Sequence, residues 1–469
     1  MPVPTPEEAQ AERGAEAPAP RFPPALRGDP DPGVLRGLLH GLYDLAWVAF
    51  AVLGAPWLLW KSLRQPGFGR MVLERMGRGL GSLPRATRPR ILVHGVSVGE
   101  VKAAGALLLA LEARHPEFEI LLSSTTNTGL EVARKLYPAH RSVRFPADLS
   151  PLVRRFLARV DPVLVILVEL EVWPSFLREC NREGRAVAVV NGRITRDSHG
   201  RYLLFKRWLP EFNRISLFCV QTEEYARRFG MLGIDPARVC VTGNVKFDGL
   251  RIGPVDPGEE LSRFVRPEPT RQVLVAGSTH DPEEVLVARA ARRAAPEARI
   301  VLVPRHPARS AEIVERLRAA GLGCQRLTEL RAGQRVEPGL PLLVDTIGEL
   351  ERIYALADVV FVGGSLVPHG GQNMLEPAAQ GRAVLFGPHV ENFDQEATLL
   401  LAAGACGKVA DEAELERELA RLLADPEARA RMGAAGVRAV GSQRGATRLT
   451  LEALDSLDLS ALAGRVPRG

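Results

Sequence analysis

Residues 90–100 read RILVHGVSVGE. A short apolar run meets a glycine turn, and a glutamate follows where a helix should begin. Such an uninterrupted run suits a parallel strand buried on both faces, where strict alternation would suit a half-exposed one. The same sentence of strand, small-residue turn and helix recurs downstream. EILLSSTTNTG starts at Glu119, PVLVILVELEVWP at Pro162, RAVAVVNGRIT at Arg185, SLFCVQTEEYARRF at Ser216 and RVCVTGNVKFD at Arg238. Repetition of this unit predicts an α/β fold with a doubly wound parallel sheet. The Pro- and charge-rich stretch PVDPGEELSRFVRPEPT, residues 254–270, reads as a linker. Beyond it the alternation restarts with QVLVAGSTH, ARIVLVPRHP, LPLLVDTIGEL, DVVFVGGSL and RAVLFGPH. Two Rossmann-like domains are therefore expected, over residues 63–255 and 265–455. Ligands of such domains lie at the carboxyl ends of the strands, and a pair of domains buries a ligand in the cleft between them.

The chain before this region has a different character. Residues 1–33 are rich in Pro, Ala, Glu and Gly and predict a disordered tail without a secretory signal. Residues 34–62 are expected to form a membrane-anchor helix centred on LYDLAWVAFAVLGAPWLLW, from Leu42 to Trp60, apolar except for Asp44. Its length is near the roughly 20 residues that cross a bilayer, although Gly54 and Pro56 weaken a straight helix. The competing reading is a buried core helix. Lys61, Arg64, Arg70, Arg75, Arg78, Arg85, Arg88 and Arg90 follow, opposed only by Glu74. This bias predicts a cytoplasmic location for the downstream domains and attraction to anionic headgroups. A solvated basic linker is the plain alternative.

Bulk properties bound the partners. The 469 residues carry a net charge of +6, compatible with an anionic ligand without naming one. The five cysteines are scattered at positions 180, 219, 240, 324 and 406, which excludes a zinc or CxxC spacing and points to reduced thiols.

Candidate chemistry falls at the strand ends. Glu100 stands where a general base would, or where a first-turn glutamate complements the helix dipole. Glu169 and Glu171 flank Leu170 after an intensely apolar strand. They hold a substrate hydroxyl, support a cationic transition state, or brace loops by pairing with Arg193 or Lys246. Arg193 and Lys246 end further strands and suit anions. In the second domain, Ser278 or Thr279 is the expected N-cap of the next helix, with amides for an anion beside His280. Pro304, Arg305 and His306 end another strand, where Arg305 suits a phosphate. Gly363–Gly364–Ser365 and Gly370–Gly371 lead to a helix expected from Asn373, whose free amides favour a phosphate and whose Glu376 suits a ribose diol. The alternative there is a glycine turn with Glu376 in a capping box. The turn after the first strand lacks a complete GxGxxG, so a nicotinamide site is not supported.

Several strings occur in an order that resembles the Kdo (3-deoxy-D-manno-octulosonic acid) transferases: SVGE, E-x-E-x-WP, NGRIT, TGNVKFD, STH, PRHP, DTIGEL, GGSL and NMLEPA. The apolar segment followed by QPGF and ERMGRG resembles their amino-terminal anchor, and the likeness covers roughly residues 41–440. The resemblance implies a GT-B fold, two facing Rossmann-like domains, and inverting transfer of Kdo from CMP-Kdo to a lipid A precursor at the inner face of the cytoplasmic membrane. It implies Glu100 as base. It implies that Glu169 or Glu171, with Lys246, supports the transition state or holds the Kdo carboxylate. It places CMP contacts on Pro304, Arg305 and His306, on Ile347, Gly348 and Glu349, and on Asn373, Met374, Leu375 and Glu376. Departures are Gly192, Ile194 and Thr195 in the NGRIT string, Ile347 for the usual Met, and Ser175 for the Asn expected after WP. No cofactor or metal is expected, because a leaving group with one phosphate is neutralised by one or two cations and a helix terminus. Nucleic acid is not an expected partner. Competing readings are a GT-B enzyme that uses a UDP-sugar, and a membrane-tethered nucleotide-binding protein without activity.

Overall fold

The computed structural model describes residues 33–206 and 211–464. The tail expected over residues 1–33 lies, save Gly33, outside the described residues. The chain divides into two compact units, one running to Gly249 and resuming at Gly445, the other spanning Leu250–Arg444.

The first unit holds a seven-stranded sheet in the order β3-β2-β1-β4-β5-β6-β7. Its strands are β1 (Arg90–His94), β2 (Glu119–Ser124), β3 (Arg141–Arg144), β4 (Pro162–Val168), β5 (Ala186–Gly192), β6 (Leu217–Val220) and β7 (Val239–Val241). All pairings are parallel. The apolar runs explain this directly for the central strands β1, β2, β4 and β5, which are covered on both faces. Ile91, Val93, Leu164 and Ile166 face one core, and Leu92, Leu121, Val165 and Leu167 face the other. The strand order reverses between β1 and β4, which makes their carboxyl ends the topological switch point.

The second unit repeats the design, in the order β10-β11-β9-β8-β12-β13-β14. Here the strands are β8 (Val273–Thr279), β9 (Arg299–Pro304), β10 (Gln325–Arg326), β11 (Leu342–Leu343), β12 (Val359–Val362), β13 (Ala383–Phe386) and β14 (Cys406–Lys408). Every pairing is again parallel, with the switch point between β8 and β12.

The chain's return to the first unit differs from the expected boundary at residue 455. The helix Pro426–Ser442 closes the second unit. The helices Ala446–Asp455 and Leu459–Ala463 then bury Leu451, Leu454, Leu457, Leu459 and Leu462 in the first unit's core beside Leu107, Leu108 and Leu111. Asp248 accepts hydrogen bonds from the Gly445 and Thr447 amides, and His115 Nε2 meets Asp455 Oδ1 at 2.8 Å. A contact across hundreds of residues leaves no mark on local periodicity. The five cysteines stand unpaired.

The single anchor helix of the sequence reading is instead two helices, Gly33–Leu53 and Ala55–Arg64. They bend by 55° at Gly54, and no single described helix is long and apolar enough to cross a membrane. Pro56 near the second helix's start forces the break, since it has no N–H to continue the first helix and its ring clashes with the preceding turn.

Gly277, near the end of β8, is packed under Tyr354. A methyl group added there would lie 2.2 Å from Tyr354 Oη, and that ring is 1% exposed. Gly277→Ala should cost roughly 1–3 kcal/mol through overpacking. A lowered thermal unfolding midpoint checks it, against Gly230→Ala, which has open space around it and should leave the midpoint unchanged or higher.

Candidate active site

In the first unit, the carboxyl-end loops after β1, β4 and β7 bring charged groups together. Ser97 caps the helix Val98–Ala103 by accepting from the Glu100 amide at 3.4 Å. Glu100 answers in kind: Oε1 accepts from Ser97 Oγ at 2.8 Å, and Oε2 accepts from the Val96 amide at 2.6 Å. Glu100 does stand in the first turn of this helix, and its carboxylate is held in one orientation at the end of β1. Gly95 permits the tight turn, since a Cβ there would sit 3.1 Å from Glu100 Cβ. Burial pushes the Glu100 carboxyl above the usual range and the Glu169 charge adds to it, while the two hydrogen bonds oppose.

Glu169 follows β4 with φ of 63°, a left-handed conformation rare outside glycine. Its Oε1 accepts from Lys246 Nζ at 2.9 Å, so the pairing weighed for these glutamates falls to Glu169 and Lys246. Arg193 pairs with neither glutamate and makes no ion pair with a described residue. Among the described residues, Glu171 is the member with no hydrogen-bond or ion-pair partner. Its carboxyl is pushed up to about 7, first by burial and then by the charges of Glu100 and Glu169. Three carboxylates and one lysine therefore form a single electrostatic cluster.

Sequence reasoning missed the residues that hold this cluster. Asn191, with φ of 56°, accepts from the Val245 amide through Oδ1 at 3.1 Å and so sets the loop that carries Lys246. His94, at the end of β1, is wholly buried. Its Nδ1 meets Ser123 Oγ at 2.9 Å, its ring stacks on Phe145 at 3.8 Å, and burial pulls its pKa down to about 3. Phe145 also packs against Trp173, at 5.6 Å. The one available signal was a histidine at the end of an otherwise apolar strand.

The second unit corrects one expectation about free amides. Glu283 Oε2 accepts from the amides of His280 and Gly364 at 2.9 and 2.6 Å, and Oε1 accepts from Ser365 and Leu366 at 3.0 and 2.9 Å. The glycine loop does cradle an anion, and the anion is the protein's own. Ser365 is fully buried, with Oγ donating to the Val362 carbonyl and accepting from the Gly387 amide. Neither Ser278 nor Thr279 caps the next helix, which starts at Glu283 after Pro282. Thr279 Oγ1 donates to Glu284 at 3.0 Å instead, and Ser278 holds φ of 56°. The helix expected from Asn373 is a single turn, Leu375–Ala379. Met374 and Leu375 point into the core. Asn373 Oδ1 accepts from the Leu375 amide and its Nδ2 donates to Glu376 Oε1 at 2.9 Å.

What remains open to a ligand here is cationic and aromatic. Arg305 and His306 are exposed after Pro304, and neither makes an ion pair with a described residue. His280 stacks on His369 at 4.3 Å and meets His306 edge-on at 5.8 Å. Burial, then the positive neighbours His369, His306, Arg305 and Arg309, pull the His280 pKa down to about 4. Ile347 is 86% exposed, beside Gly348 with φ of 97°. Glu349 is tied to Arg331 at 2.9 Å and to Arg352 at 3.5 Å. Among the described residues, no three His, Cys, Asp or Glu side chains converge to hold a metal ion.

Comparison with known proteins adds to this geometry. The sequence model of a family described as 3-Deoxy-D-manno-octulosonic-acid transferase (kdotransferase) matches residues 70–249. The chain is 34% identical over 445 residues to the 3-deoxy-D-manno-octulosonic acid transferase of Bordetella pertussis, covering 89% of this chain and 99% of that one. The Haemophilus influenzae protein of the same name is 31% identical over 406 residues, covering 84% of this chain and 92% of its own. Among solved structures, UDP-GlcNAc 2-epimerase from Neisseria meningitidis bound to UDP-GlcNAc has a TM-score of 0.51 at 13% identity. It covers 78% of this chain and 99% of that one. That likeness is one of fold: two Rossmann-like units of the GT-B type.

The raised Glu171 pKa has a stability consequence with a definite sign. Its folded value of about 7 exceeds the ordinary 4.5, so the folded state binds the extra proton between them. Stability falls as pH rises through that window. Glu171→Gln removes the penalty. Its unfolding midpoint relative to wild type should climb as pH goes from about 4.5 to about 7 and level off above. A pH-independent difference between the two proteins would contradict the assignment.

Proposed function

The chain belongs to the 3-deoxy-D-manno-octulosonic acid (Kdo) transferase family of glycosyltransferases, and on that premise we propose that it moves Kdo from CMP-Kdo to a sugar hydroxyl of a lipid A precursor in lipopolysaccharide synthesis. The observation that carries this reading is the cluster of Glu100, Glu169, Glu171 and Lys246 at the carboxyl ends of β1, β4 and β7. It offers what attack on an activated acidic sugar requires: a fixed carboxylate for the acceptor proton, and an ammonium group for the sugar's carboxylate.

In this mechanism Glu100 takes the proton of the acceptor hydroxyl as the oxygen attacks the anomeric carbon. The bond from that carbon to the CMP phosphate breaks, and its electron pair leaves with CMP. Attack on the face opposite the leaving group inverts the configuration. Carboxylates around the reacting carbon favour its oxocarbenium character. Lys246, held by Glu169, meets the Kdo carboxylate. Arg305 and His306, free of ion pairs, neutralise the single phosphate of CMP, so a metal is not required. Ile347 and the Asn373–Glu376 turn receive the nucleoside.

A second reading of the base has one observation in its favour. Both Glu100 oxygens already accept hydrogen bonds, whereas Glu171 has no partner and sits near pKa 7. A base poised near the working pH is the more efficient one.

The amino-terminal helices support seating at the inner membrane from its cytoplasmic side. Leu42, Leu45, Phe50, Val52, Leu53, Trp60 and Leu63 are all more than half exposed, and Lys61 and Arg64 close the second helix. Two helices bent by 55° fit an interfacial position, with their apolar faces among the acyl chains and their cations at the headgroups.

Purified enzyme with CMP-Kdo and a tetraacylated lipid A precursor should give a product heavier by one or more Kdo residues in mass spectrometry. Absence of that product, with transfer from a UDP-sugar instead, would overturn the donor. Glu100→Gln should lower kcat by about 10²-fold or more with CMP-Kdo binding retained. If Glu100→Gln turns over normally while Glu171→Gln abolishes both activity and the limb of the pH profile near 7, the base is Glu171. Leu53→Glu combined with Trp60→Glu should weaken co-sedimentation with vesicles of phosphatidylethanolamine and phosphatidylglycerol. Unchanged binding would exclude this face as the membrane contact.

A further inference from the structure

Asp44 is an oddity in the sequence, a lone carboxylate inside an apolar segment. In the structure it does not face outward. His40, Tyr43, Asp44 and Trp47 form the less exposed stripe of the helix Gly33–Leu53, at the three- and four-residue spacing of one helical face. The opposite face carries the exposed Leu38, Leu42 and Leu45. From the inner stripe two polar groups reach into the first unit. Tyr43 donates its hydroxyl to Asp148 Oδ2 at 2.9 Å. Asp44 Oδ1 accepts from the Ser150 amide at 3.0 Å and from Ser175 Oγ at 3.4 Å.

Asp148 is wholly buried, and what it holds is the start of the helix Pro174–Arg182. Trp173, the residue in the N-cap position, has no side-chain capping bond, and Pro174 has no N–H. The next two amides would be orphans. Asp148 takes both, Ser175 N at 3.1 Å and Phe176 N at 2.8 Å. It is a capping carboxylate lent from another loop, and Tyr43 fixes it from behind. Only Val172, Trp173 and Pro174 separate this capped start from Glu171. Trp173 leans on Phe145, which stacks under His94, and the Glu100 turn leaves from His94.

We propose that Tyr43, Asp44 and Asp148 are positioning residues that fix the Glu169–Glu171 loop against the apolar amino-terminal helix, so that this helix governs the rate of transfer as well as membrane seating. The inference rests on the proposed reaction for its kinetic readout and on geometry alone for its structural one. Ser175, where the family's usual residue is Asn, belongs to the same network, because its hydroxyl is the atom that Asp44 accepts from.

The test uses the full-length enzyme in detergent micelles, with Tyr43→Phe and Asp44→Asn. Neither residue belongs to the carboxylate cluster, and Tyr43→Phe removes a single oxygen. Hydrogen–deuterium exchange should rise in Tyr43→Phe over residues 169–177 and stay level in the second unit. With CMP-Kdo and the lipid acceptor, kcat should fall by about tenfold at constant KM for the donor, a part of the roughly hundredfold that an ångström of misplacement can cost. The limb of the pH–kcat profile near neutrality should move as well, because Glu171 shifts relative to Glu100, Glu169 and Lys246. Vesicle association should not change. Wild-type exchange over residues 169–177 in both variants would overturn the proposal. So would a loss of kcat that merely follows a lower melting temperature, with the pH limb in place. If the wild type fails to use CMP-Kdo, the proposed reaction falls, and the exchange result still decides the strut.

Discussion

Three carboxylates share one ammonium group. Glu100, Glu169 and Glu171 feel one another's charge, and only Glu169 has a cation, Lys246. Burial of unpaired charge is expensive, and a folded chain normally avoids it by pairing or by protonation. Here the three members meet the problem in three ways. Glu169 pairs, Glu100 is clamped by its own capping turn, and Glu171 keeps a proton up to about pH 7. Asn191 ties the Lys246 loop, and His94 lies beneath the turn that carries Glu100.

The second unit solves the opposite problem with the same parts. A buried carboxylate, Glu283, meets four amides and needs no cation. Oriented amides can satisfy an anion fully, which is why glycine turns so often read as phosphate sites. In this chain the turn is spent on closing β12 against the helix Glu283–Ala294. The groups left for an anionic ligand are Arg305 and His306, one strand over, together with the His280–His369 stack. The glycine-rich turn is occupied from within, and a histidine- and arginine-lined edge is what the strand ends leave exposed.

Periodicity and turn chemistry made the parallel sheets legible, because a strand buried on both faces has to be apolar throughout. They also placed Glu100, Glu169, Glu171, Arg193 and Lys246 at strand ends, since in this topology whatever follows the apolar run stands at the carboxyl edge. Partners were not legible. Nothing local says that Glu283 reaches residues 364–366, that Asp148 caps a helix 26 positions later, or that Asp44 belongs to Ser175. Nor does it say that the leucines after residue 450 return to the first core. Each is a contact over a long separation, fixed by how the layers stack. The break at Gly54 was half visible, for Pro56 marked the spot while the apolar run argued for continuity.

Strain follows the same map. Five non-glycine described residues hold positive φ, and three of them stand where a strand gives way to a site loop: Glu169 after β4, Asn191 in β5 and Ser278 in β8. Such conformations cost of order 1–3 kcal/mol each and persist only where the surroundings over-determine them. For Asn191 the over-determination is explicit, with its carbonyl accepting from Gln221 and its side chain from Val245. For Glu169 it comes from the hydrogen bond its N–H donates to the Val190 carbonyl at 2.8 Å and from the Lys246 pair. Glu169 and Glu171, two positions apart, thus stand in one cluster in two different states, Glu169 paired with Lys246 and Glu171 without a partner among the described residues.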